Sequence, residues 1–139
     1  MDKRFEVTDH TADIGITAYG KDLADLLANA ASGMMTLIVD PQTVNCPETT
    51  VIELNERDGV ALLVEWLNTL LYELDANRLL LREFDIAVSG ETRLSASCRG
   101  ERLDRPRHKL KREVKAATYH NLVIGRENGI YSAHIIFDI

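Results

Sequence analysis

Two short stretches of this chain carry residue types that could do chemistry. Asp9-His10-Thr11-Ala12-Asp13 gathers two carboxylates, an imidazole and a hydroxyl beside a strand-like pattern. The sequence closes on Ile135-Ile136-Phe137-Asp138-Ile139, where the Asp138 side chain adjoins the α-carboxylate of Ile139. An α-carboxylate is ionised at neutral pH, with an ordinary pKa of about 3.5. Taken singly, each stretch also reads as something bland, an Asx-type turn with solvated ends or a solvated terminal aspartate. Brought together, they form a carboxylate cluster. Two unit charges roughly 5 Å apart repel by about 3 kcal/mol at an effective dielectric of about 20. A hard divalent cation relieves that repulsion, because Ca²⁺ and Mg²⁺ take carboxylate oxygens and fill open positions with water. Carboxylates without dominant His or Cys ligands disfavour zinc.

Other chemistries find less support. The sequence has no Walker or GxGxxG pattern, which argues against a nucleotide-hydrolysing enzyme. No Ser or Cys stands close in sequence to a base that would activate it. Cys46 and Cys98 form no CxxC pair and have no histidine at zinc spacing, so they are expected as reduced, packed thiols, with a disulfide as the alternative. His120 and His134 fall in strand-like text and read as structural or surface residues. Trp66 lies on a helical apolar stripe and reads as core.

The net charge is −6, which argues against a general nucleic-acid coat protein. Residues 99–115 nevertheless carry eight Lys and Arg against three acids, a net of +5, leaving −11 on the remainder. Either a contact role or a solvated loop explains that basic edge on an acidic body.

The elements that must position these groups follow from periodicity. Phe5 to Val7 reads as a short strand. Ile14, Ile16 and Ala18 alternate with Gly15, Thr17 and Tyr19, the mark of a half-buried strand. Lys21 to Val39 is expected as a helix with apolar residues three and four apart, started near Asp22 and Asp25 and stopped at Asp40-Pro41. Val44 to Leu54 is expected as a strand bent near Pro47. A second helix follows, with Asn55 as its N-cap, a stripe from Leu62 to Leu74 and an end at Asp75-Ala76-Asn77. Phe84-to-Val88 and Leu94-to-Cys98 form one hairpin. Leu103 to Arg112 is a basic loop, and Val114–Ile124 with Ile130–Ile136 form a second hairpin across Asn128-Gly129. Two amphipathic helices packed on mostly antiparallel sheets make an α+β fold, expected as one domain over 1–139. Without an N-terminal apolar run or a ~20-residue apolar span, a cytoplasmic location without membrane contact is expected.

Four motifs in register resemble the archease family: Asp9-His10-Thr11-Ala12-Asp13-Ile14, Ala18-Tyr19-Gly20, Glu113-Val114-Lys115-Ala116-Ala117-Thr118-Tyr119-His120, and the ending Phe137-Asp138-Ile139. The resemblance implies a non-enzymatic accessory protein of tRNA splicing. Such a protein activates the RtcB-type RNA ligase by promoting its guanylylation and repeated turnover, and widens its nucleotide choice. Carried over by position, the implied metal site falls on Asp13, Asp138 and Ile139, with Ca²⁺ as the first expectation and Mg²⁺ or Mn²⁺ as alternatives. Lys115 matches the family lysine, and Asp9, His10, His108 and Glu113 also fall on the pattern as partner or activation positions. The implied partner is the ligase, with tRNA reached only through it. A small metal-dependent phosphoester enzyme and a chaperone-like binding module are the alternative readings. The basic Leu103–Arg112 stretch departs from the family pattern.

Overall fold

The computed structural model describes residues 3–9 and 13–139. Two antiparallel sheets and two helices share one hydrophobic core. The first sheet contains β1 (Phe5–Asp9), β2 (Ile14–Gly20), β6 (Ala116–Ala117), β7 (Ile124–Glu127) and β8 (Ile130–Asp138), in the order β1-β2-β8-β6, with β7 also pairing β8. The second contains β3 (Glu48–Asn55), β4 (Leu79–Ser89) and β5 (Arg93–Arg102), in the order β3-β5-β4. Helices α1 (Leu23–Ile38) and α2 (Gly59–Asn77) contribute much of the core.

Helix α1 starts where a carboxylate can replace a missing backbone partner. Asp22 is the N-cap and accepts from the Asp25 N–H at 2.8 Å, while Asp25 reaches back to the Lys21 N–H at 3.0 Å. The apolar stripe buries Leu26, Leu27, Ala30 and Met34 completely. No basic residue lies in the last turn of α1, so its free carbonyls are satisfied from elsewhere. The basic segment supplies them: Lys111 N–H donates to Ile38 O at 2.7 Å, Lys111 Nζ to Thr36 O at 3.0 Å and Arg112 Nη1 to Leu37 O at 3.3 Å. Cations at this negative end of the helix also favour its dipole.

Helix α2 departs from expectation at its start. Its N-cap is Asp58, which accepts from Ala61 N–H at 2.8 Å, whereas Asn55 ends β3 opposite Arg93. A residue held in a ladder cannot also cap the helix that follows. The helix ends at Arg78, whose backbone is left-handed with φ 55° and whose N–H donates to Glu73 O. Trp66 is fully buried as core, with its indole N–H on Leu27 O at 3.0 Å and its ring edge-on to Phe84.

The first hairpin forms as β4 and β5. Gly100 lies where β5 crosses close to β4, and a Cβ there would come within 1.8 Å of Leu80 O. The strand expected over Val44–Leu54 begins only at Glu48, because Asn45 N–H is drawn to the Glu101 carboxylate at 2.6 Å. The second hairpin is shorter than its periodicity suggests. Only Ile124–Glu127 pairs with the start of β8, and β6 is two residues long. Asn68 of α2 takes both sides of the Ala117 peptide, accepting from its N–H at 2.8 Å and donating to its carbonyl at 3.2 Å. A side chain thus replaces a strand partner and pulls this segment onto the helix.

Candidate functional site

The register of β2 against β8 decides whether the two carboxylate stretches meet. Ile14 pairs with Phe137, Ile16 with Ile135 and Ala18 with Ala133, all buried and facing the core. One step beyond Ile14 and Phe137 lie Asp13 and Asp138. Alternation turns Asp138 away from the buried face of Phe137. The tertiary fold therefore brings residues from opposite ends of the sequence to one end of the first sheet.

Asp13 is half-buried, and its Oδ1 is enclosed without a hydrogen-bond partner among the described residues. An enclosed carboxylate oxygen without a donor is costly, by about 1–3 kcal/mol or more for a charged group. A bound cation would satisfy it, so this donor set fits a hard metal ion. Asp138 is exposed, and Ile139 is 51 % exposed. Among the described residues no three His, Cys, Asp or Glu side chains form a metal-holding group.

Lys115 is exposed and directly precedes β6. Its N–H donates to Asp138 O at 2.8 Å, and Ala116 pairs with Asp138. Glu113 is exposed two residues earlier. The backbone of Asp9 ends β1 opposite Ile14. His10, Thr11 and Ala12 lie outside the described residues. Beside this end, Thr8 Oγ1 and His134 Nε2 lie 2.9 Å apart across Gly15, which has no side chain to separate them. His120 is exposed in a turn.

His108 is placed differently from the other activation candidates, being 1 % exposed. Its Nδ1 accepts from the Asp104 N–H at 2.9 Å, which leaves the proton on Nε2, 2.8 Å from Glu101 Oε2. Glu101 also receives Arg107 Nη2 at 2.5 Å. The Arg107 guanidinium, with help from Asn45 N–H and His108 and against the opposing effect of burial, holds the Glu101 carboxyl down at about 2. Both ring nitrogens of His108 are occupied within the fold, so any part it plays in activation acts through the position of this loop. Strand periodicity gives no sign of Glu101, which follows the inward positions Leu94, Ala96, Cys98 and Gly100 out of phase. Cys98 is a buried free thiol pushed up to about 12 by burial, with a smaller effect of Glu73, and is inert accordingly. Cys46 is also free.

Two helices on two antiparallel sheets, with Asp13 and Asp138 at one end of the first sheet, define a class of small α+β proteins. The archease protein family model matches residues 5–139. The chain belongs to the archease family. It is 34 % identical to protein archease of Methanosarcina barkeri, with 99 % of this chain and 97 % of that protein covered. The solution structure of a Methanobacterium thermoautotrophicum protein is similar at a TM-score of 0.83 and 34 % identity, covering 97 % of this chain and 98 % of that one. A Thermotoga maritima archease, described as a possible chaperone, shares the fold at a TM-score of 0.66 and 20 % identity, covering 100 % of this chain and 98 % of that one. Among the described residues no helix is long and apolar enough to cross a membrane.

Proposed function

We propose that this protein is a non-catalytic accessory factor that activates an RtcB-type RNA ligase by promoting its guanylylation and repeated turnover. Family membership supports the reading, and the enclosed Asp13 Oδ1, without a partner among the described residues at the end of the sheet where β8 ends, is the observation that carries it. Asp13, Asp138 and the carboxylate of Ile139 would hold one divalent cation, with Ca²⁺ the first choice and Mg²⁺ or Mn²⁺ the alternatives. Such an ion would supply positive charge against a transferring phosphoryl group, where phosphoryl transfer gains most. The chain's own contribution is to position these groups. The β2–β8 register brings the Asp13 and Asp138 positions to one end of the first sheet, and a backbone bond ties Lys115 to Asp138.

The test mixes purified protein with an RtcB-type ligase, GTP, RNA ends and a divalent ion, and follows ligase guanylylation over repeated cycles. The expected result is more turnovers per ligase and no reaction without it. Reaction by this protein alone would establish a metal-dependent phosphoester enzyme instead. Equal protection of unrelated unfolding proteins, with no gain in ligase turnover, would establish a chaperone.

A further inference from the structure

The basic segment of 99–115 separates into cations that the fold uses and cations that it does not. Arg99 pairs with Glu83, Arg102 donates to Asn77 O, Arg107 holds Glu101, and Lys111 and Arg112 cap α1. Among the described residues the side chains of Arg105, Lys109 and Lys115 make no hydrogen bond or ion pair. Arg105 and Lys115 line a groove of about 830 Å³ between α2 and this segment. Arg78 lines the same groove from the end of α2 and likewise has no side-chain partner among the described residues, while Arg112 adds a fourth cation. Asp75 and Glu113 offset two of the four charges.

The backbone at Arg78 makes this concentration of charge notable. Its φ of 55° is a conformation that helix ends usually give to glycine or asparagine. An arginine there carries strain that a glycine would not. The rest of the lining suits the other parts of a nucleotide. Leu71, Leu103 and Val114 offer apolar contact, and Tyr72, 62 % exposed, offers a ring face on which a base can stack. The volume lies within the range of small-molecule sites, roughly 300–1,000 Å³. Guanidinium groups bind phosphate oxygens in pairs.

We propose that this groove is a nucleotide phosphate site, taking phosphates carried by a free nucleoside triphosphate or by an RNA strand. It does not depend on the carboxylate end, so the test is run on the full chain in EDTA. GTP, tripolyphosphate, guanosine and a fluorescein-labelled single-stranded RNA are titrated at low salt against the wild type and the Arg78→Gly/Arg105→Ala double variant. The expected result is binding of the phosphate-bearing probes, weakened at least tenfold in the variant, with guanosine binding weakly or not at all. Arg78→Gly relieves backbone strain and keeps the N–H to Glu73 O, so the variant should melt no earlier than the wild type. For RNA, removing two cations should make the dependence of log affinity on log salt shallower by about 1.4. Tighter binding of GTP than of RNA assigns the site to a free nucleotide, and the reverse order assigns it to an RNA strand. Equal affinity of wild type and variant, guanosine binding as tightly as GTP, or capture of poly-glutamate in preference to both phosphate probes would overturn the proposal. Because no divalent ion is present, these outcomes leave the ligase reading to its own test.

Discussion

The backbone N–H of Lys115 donates to the carbonyl of Asp138 at 2.8 Å, joining the lysine of the basic segment to the aspartate at the end of β8. This bond belongs to the main chain, so it survives any change of the lysine side chain except to proline. The role of the ammonium group can therefore be separated from the role of the fold.

Lys115→Ala should lower stimulation of ligase guanylylation at least several-fold while leaving the melting temperature within about 1–2 °C of wild type, since an exposed ammonium contributes at most about 1 kcal/mol. Lys115→Pro should lower stimulation and stability together, because it removes the N–H. Unchanged ligase turnover in the alanine variant would reduce Lys115 to a surface charge.

Asp13→Asn keeps the shape of the side chain and removes its charge. Calorimetric titration with Ca²⁺ should show affinity reduced at least tenfold. Without metal the variant should be as stable as the wild type or more so, because the enclosed Oδ1 has no donor among the described residues. A large fall in metal-free melting temperature would instead make Asp13 a purely structural residue.

An extension after Ile139 converts its carboxylate to a neutral amide and adds bulk where Asp138 ends β8. Metal affinity and ligase stimulation should both fall, with little loss of folding stability because Ile139 is 51 % exposed. A tag placed before Met1 serves as the comparison and should be harmless. If the extended protein binds metal and stimulates the ligase as well as the unextended one, the terminal carboxylate is not a ligand.

The Glu101 carboxyl, lowered from 4.5 to about 2 chiefly by Arg107, makes stability depend on pH with a definite sign. A carboxylate lowered on folding stabilises the fold above its unfolded value, and the contribution is lost as pH falls toward the folded one. Wild-type stability should decline as pH drops from about 4.5 to about 2. Glu101→Gln should be less stable by about 2–4 kcal/mol at pH 7, and the gap should close toward pH 2. Denaturant titrations across that range measure it. A gap independent of pH would mean that the charge of Glu101 contributes nothing.

Local pattern was enough to locate most elements. The stripe from Leu62 to Leu74, the carboxylates at Asp22 and Asp25, and the Asn128-Gly129 turn each act within a few residues of themselves, so helix, helix start and hairpin were legible without any partner. Where local signals compete, the sequence does not choose between them. Asn55 and Asp58 are both good caps, and only the pairing of Asn55 with Arg93 leaves the role to Asp58. The extent of β6 and β7 was hidden for a related reason. Alternation around Val114–Ile124 says that the segment can be a strand, but Asn68, 49 residues away, takes its backbone.

Residue types at the candidate site were evident in the sequence, since carboxylates of two short stretches are visible wherever they fold. That the two stretches share one end of the first sheet was not, because the β2–β8 register is set by burying Ile14, Ile16, Phe137 and Ile135 on one face. The basic segment shows the division most clearly. Its charge is a property of composition. Which cations cap a helix, which hold Glu101 and which face the groove depends on free carbonyls and carboxylates brought to it by distant parts of the chain, as when Lys111 meets Thr36 from 75 residues away. Hydrogen bonds and desolvation act over a few ångströms of space, and only the folded chain decides which residues share that space.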